Sequence, residues 1–191
     1  MTFAPLIVGA LGGDPRQALP VAEISALWRA GVELLDDLRA GRPHRSARRD
    51  MATAIACLTR LPQDVIDETD LPCSVRDDWR VTFAEASVAA LNGESGVLHA
   101  AEATMAARLV TDDPQSLRSW HTFGLAVGHG LLVYARTLLI DLVDASPYRD
   151  ELLRSIGAPA APVCERMGRT RPENIRRPAG RSSCAPRRRV R

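Results

Sequence analysis

Asp36 and Asp37 stand side by side in the stretch Glu33, Leu34, Leu35, Asp36, Asp37, Leu38, with Arg39 and Arg42 just downstream. In the last turn of a helix, adjacent carboxylates repel each other and oppose the negative end of the helix dipole, at about 0.3–1 kcal/mol each. Something must compensate them. Arg39 and Arg42 can do so as ordinary surface ion pairs. The alternative is a divalent cation, since Mg²⁺ is held by one or two carboxylates together with the oxygens of a bound phosphate. All 25 basic residues are arginine and lysine is absent. This excludes Schiff-base chemistry and a phosphate-loop lysine, and leaves phosphate recognition to the planar arginine fork.

The elements that must carry this acidic pair read as helices. Asp14 and Pro15 precede a segment from Ala18 to Arg39 in which Val21, Ile24, Trp28, Leu35 and Leu38 recur at helical spacing. Gly41 and Pro43 stop it. An Arg-rich stretch leads into Met51–Leu61, closed by Pro62, and a short helix follows over Gln63–Glu68. Asp77–Leu91 is Ala-rich, with Trp79, Phe83, Val88 and Leu91 as expected core residues. Asn92 and Gly93 interrupt the pattern before Glu94–Val110. Pro114–Val143 then reads as one long element kinked near Gly128 and Gly130. No strand-like alternation of useful length occurs, so the expected class is all-α.

Apolar residues at 46% and charged residues at 25% are globular usage. Residues 1–157 carry 15 Arg against 21 Asp and Glu, a net −6, whereas residues 158–191 carry 10 Arg against 2 acids, a net +8. The expected organisation is therefore a helical domain over 1–157 and a basic tail over 158–191. An acidic body argues against nucleic-acid binding by the domain. The tail, rich in Pro and Arg, reads as a disordered extension, a basic arm, or the product of a disrupted reading frame. Cys57, Cys73, Cys164 and Cys184 lie far apart, which speaks against zinc or a disulfide framework. His44, His99, His121 and His129 show no metal pairing and read as structural or surface residues, and Tyr134 and Tyr148 read as packing residues rather than acids. The apolar stretch Phe123–Val143 contains Arg136 and reads as a buried core helix rather than a membrane span. The first residues lack a basic leader, so the expected location is cytoplasmic.

The opening Ala4, Pro5, Leu6, Ile7, then Ala10 to Pro15, Ala18 to Ala22, and on to Leu34, Leu35, Asp36, Asp37, Leu38, resembles the region of the trans-isoprenyl diphosphate synthases (polyprenyl synthetase family) that runs into their first aspartate-rich motif. Arg39, Ala40, Gly41, Arg42, Pro43 is similar to the arginine segment that follows the motif, and Phe123–Gly128 to the start of the helix bearing the second. The resemblance implies an incomplete antiparallel helical bundle of the isoprenoid synthase type, usually homodimeric, or paired here with a full-length synthase. It implies condensation of an allylic diphosphate with isopentenyl diphosphate around Mg²⁺. On that basis Asp36 and Asp37 are metal ligands, Arg39 and Arg42 contact diphosphate, and Asp141 and Asp144, three apart on one helix face, stand in for the second motif. Trp28, two turns before Asp36, is then either a cavity floor or a core anchor, and Gly31 and Val32 leave room beside it. The chain departs from the pattern where the third acid is expected, at Ala40. It departs again at Leu131, Leu132, Tyr134 and Ala135, and in lacking lysine altogether. The alternative expectation is a catalytically silent relative that binds a prenyl diphosphate or a partner enzyme.

Overall fold

In the computed structural model, which describes residues 2–94 and 96–157, the chain is helical and holds no strand among the described residues. The helices are α1 (Ala4–Ala10), α2 (Leu19–Arg39), α3 (Ala47–Leu58), α4 (Arg60–Asp67), α5 (Cys73–Leu91), α6 (Val97–Arg108), α7 (Pro114–Gly128), α8 (Leu132–Leu142) and α9 (Pro147–Gly157), with one 3₁₀ turn at Pro15–Ala18. Local chemistry sets several starts. Asp113 accepts from the backbone N–H groups of Gln115 and Ser116 ahead of α7, whose first residue, Pro114, needs no donor there. Ser46 does the same for α3 through Arg49 N–H.

Two helices organise the core. α2 buries Val21, Ile24, Trp28 and Leu35 and packs against α3, α4 and α6. α6 is buried on nearly every side, which its alanines permit, and lies against α7, α5, α1 and α2. α6 and α7 run antiparallel, because Gly96 meets Gly128 while Ala100 meets Gly124. A Cβ on Gly124 would sit 2.3 Å from the His99 carbonyl oxygen, and one on Gly128 would sit 2.2 Å from the Gly96 oxygen. Both glycines are thus required by backbone-to-backbone contact.

Several expectations are corrected. The segment Pro114–Val143 is two helices, not one kinked helix: α7 ends at Gly128, and Gly130, at φ 72°, turns the chain before α8. Phe123, Ala126, Ala135, Leu139 and Val143 are buried, but Leu131, Val133, Tyr134 and Ile140 are exposed, so the stretch is not a buried helix throughout. No helix among the described residues is long and apolar enough to cross a membrane. In α5, Trp79 and Phe83 are core residues whereas Val88 and Leu91 are exposed. Gly31 opens no space, since Leu58 of α3 fills it, with its Cγ 2.7 Å from where a Cβ would lie. Tyr148 does pack, its ring lying against Gly9. The described residues belong to one compact unit, and the basic tail, with Cys164 and Cys184, lies outside the described residues.

Candidate functional site

The acidic pair sits at the exposed C-terminal end of α2, where Gly41 and Arg42 close the helix by hydrogen bonds to the Leu38 and Asp37 carbonyls. Neighbouring residues on a helix point about 100° apart, and the two carboxylates accordingly take different partners. Asp36 pairs with Arg39 at 3.2 Å. Asp37 accepts from Arg42 at 3.0 Å and faces His44 Nε2 at 2.8 Å. The His44 and Arg42 hydrogen bonds hold the Asp37 carboxyl below the usual carboxylate range. Arg39 reaches further, to the Leu91 carbonyl at the end of α5. The two arginines expected at a diphosphate are therefore beside the two aspartates expected at a metal. His44, read from the sequence as a structural or surface histidine, is the fifth member of the cluster.

Asp141 lies in the last turn of α8 and Asp144 just beyond it, both exposed, and α8 packs on α7 and α9. Among the described residues, no group of three or more His, Cys, Asp and Glu side chains comes together in a metal-holding arrangement.

Between the middle of α2 and the start of α6 lies a hollow of about 390 Å³, whose nearest α2 residue to the acidic pair is Val32, four residues before Asp36. Trp28 and Val32 of α2 form part of its wall, with Phe3 and Leu98, and Gly128 at the end of α7 closes one side. Trp28 is a core anchor, 1% exposed and stacked on Phe83 with centroids 5.7 Å apart, and it is among the residues that line this hollow. Its indole N–H donates to Ser87 Oγ at 3.2 Å. The hollow also contains polar groups that sequence reasoning missed: Ser25 and Arg29 of α2, and His99 and Glu102 of α6.

Glu102 is buried, and its Oε1 accepts from the Thr2 hydroxyl and from the backbone N–H groups of Phe3 and Ala4, the last at 3.0 Å. A carboxylate from α6 thereby caps α1 and fixes Phe3 in the wall of the hollow. The available signal was His99 and Glu102 three apart on an Ala-rich helix, hence on one face. No family model matches the chain, and no curated protein or solved structure is significantly similar to it.

Burial pushes the His99 imidazole below its ordinary pKa; Arg29 acts in the same direction and Glu102 opposes them. Between pH about 6.5 and the lower folded value, the unfolded chain therefore binds the proton that the folded chain refuses, and stability falls as pH falls, by up to about 1.4 kcal/mol per pH unit. Urea unfolding between pH 7.5 and 5 checks this. The His99→Gln variant is expected to show a shallower loss over that interval.

Proposed function

We propose that this chain binds an allylic diphosphate, as a polyprenyl synthetase-like protein of the isoprenoid synthase bundle type that does not turn its ligand over. The observation that carries the reading is that one helix supplies both halves of an amphipathic site. α2 ends in the Asp36, Asp37, Arg39 cluster, and Val32 and Trp28, about 6 and 12 Å back along the same helix at 1.5 Å per residue, line the hollow. A charged head at the helix end and a hydrocarbon tail along the helix follow from that order.

The acidic end suits an ion that arrives with its phosphate. Asp36 and Asp37 point apart and hold separate arginines, so one of the two carboxylates would ligate an Mg²⁺ whose remaining positions are filled by phosphate oxygens and water. Bound Mg²⁺ would neutralise the diphosphate charge. Arg39 and Arg42, beside the two carboxylates, would donate to the diphosphate oxygens they attract. Absence of turnover is supported by Ala40 in place of a third acid, by Leu131 to Ala135 in place of a second motif, and by the lack of lysine. Each such contact at a reacting phosphate contributes several kcal/mol to leaving-group departure.

Thermal unfolding with geranyl diphosphate and Mg²⁺ tests the reading. Ligand at about a hundred times its Kd stabilises by about 2.7 kcal/mol, a rise of about 5–10 °C for a chain of this size. Chelator or the Asp37→Asn variant should remove most of the rise. No shift at millimolar ligand would overturn binding. Release of diphosphate on adding isopentenyl diphosphate would overturn the silent assignment and establish condensation.

A further inference from the structure

α8 presents an apolar face that no other described helix covers. Its inner side carries Ala135 and Leu139, fully buried where the helix packs on α7 and α9. At about 100° per residue the opposite side carries Val133, Thr137 and Ile140. The exposures agree, since Val133 is 82% exposed, more than any other large hydrophobic residue described, and Ile140 is 56% exposed. Thr137 brings no unpaired hydroxyl to this stripe, because its Oγ1 donates to the Val133 carbonyl at 3.2 Å. A charge stands on each flank. Arg136 lies along one edge of the stripe, and Asp141, about 140° further round the helix, lies along the other. Both are exposed, and neither side chain makes an ion pair or hydrogen bond with another described residue. An apolar stripe between two unpaired opposite charges is completed by a second stripe of the same kind.

We infer that α8 is the contact between two copies of this chain, packed parallel about a two-fold axis that runs along the helix. The spacing selects this orientation. Val133, Thr137 and Ile140 fall at intervals of four and three, the seam of a two-helix coil, and Arg136 and Asp141 hold the positions beside the seam whose five-residue offset brings opposite charges together in a parallel pair. Each Arg136 then meets the partner's Asp141, and the symmetry makes that pairing twice. In an antiparallel pair each flank meets itself, which sets Arg136 beside the partner's Arg136 and is opposed by like-charge repulsion. The area is sufficient without excess. Leu131, Leu132, Val133, Tyr134 and Ile140 are 39–82% exposed. They present about 350 Å² of apolar surface per copy, at ~30 Å² per CH₂ and ~200 Å² per tyrosine. An interface about 65% apolar built on that patch buries about 1,100 Å² in all, just above the ~1,000 Å² of a specific contact, which places the dissociation constant in the micromolar range. α7 and α9 already hold α8 in shape, so association does not have to form the helix. The α8 contact uses neither α2 nor the hollow, and it and the diphosphate reading stand or fall separately.

Sedimentation velocity of the full chain at about 1–200 μM checks the pairing, with a monomer–dimer equilibrium as the expected result. Val133→Glu should leave only monomer over that range. Val81→Glu, at a residue 59% exposed on α5, should leave the equilibrium as it was. Arg136→Glu and Asp141→Arg should each weaken the dimer about tenfold or more, because each turns two attractions into two repulsions. The double variant restores both pairs with their signs exchanged and should dimerise within about threefold of wild type. All four substituted residues are exposed, and circular dichroism of each variant reports its folding. A wild-type chain that stays monomeric throughout would overturn the pairing and leave the α8 face to another occupant, residues 158–191 or a different protein. A dimer that survives Val133→Glu would place the contact elsewhere and overturn it too. A double charge variant that is folded but no better associated than the single variants would overturn the parallel orientation.

Discussion

Trp28→Ala is expected to destabilise the protein by about 3–5 kcal/mol, a large share of the 5–15 kcal/mol that holds a domain folded. The side chain is buried at the centre of the core, and its ring lies within 7° of parallel to Phe83. Removing it forfeits that stack, leaves a cavity continuous with the existing hollow, and strips Ser87 Oγ of its donor at a position 4% exposed. The contributions are separable. Trp28→Phe retains most of the apolar volume but not the N–H, and should cost about 1–3 kcal/mol, chiefly from the unpartnered hydroxyl. Adding Ser87→Ala to Trp28→Phe removes that hydroxyl, so the double variant should be less destabilised than the sum of the singles. Urea unfolding midpoints of the four proteins close the cycle. A Trp28→Ala loss below about 1 kcal/mol would mean that the ring is not the anchor its burial indicates.

Trp28 was legible because a 3.6-residue period decides burial on α2, and Val21, Ile24 and Leu35 follow the same rule. On α5 the same rule holds with smaller residues. Its buried stripe is Trp79, Phe83, Ala86 and Ala90, a regular helical series whose later members are alanines, whereas Val88 and Leu91 are larger but lie off the stripe. Size was read where spacing governed. The break after α7 was signalled by Gly128 and Gly130, yet a kink and a full turn leave the same letters; the positive φ at Gly130 separates them. α1 was hidden for a different reason. At seven residues it is too short to signal itself, and the acceptor for its first N–H groups, Glu102, is 98 residues away from Ala4. The candidate sites divide in the same way. The acidic pair and its arginines are contiguous in sequence and legible there, but Ser25 and His99 line one hollow only because α2 and α6 pack together. No spacing encodes that meeting.

The glycines of α7 make the packing of α6 against α7 testable, because two opposed effects compete there with known sizes. In an ordinary helix interior, Gly→Ala stabilises by about 1 kcal/mol through propensity and unfolded-state entropy. At Gly124 the new methyl would lie 2.3 Å from the His99 carbonyl oxygen, 2.5 Å from Ala100 Cα and 2.7 Å from its nitrogen. All three are backbone atoms of a buried helix and cannot step aside as a side chain can, so the helices must separate. Overpacking of this kind costs about 1–3 kcal/mol and more where backbone is involved, so Gly124→Ala should be net destabilising despite its gain in propensity. Gly31→Ala is the comparison. Its closest contact, 2.7 Å, is the Leu58 side chain, with the Ala54 carbonyl oxygen at 3.2 Å, and a rotamer change can relieve most of the clash. The expected order of melting temperatures is therefore wild type, then Gly31→Ala, then Gly124→Ala.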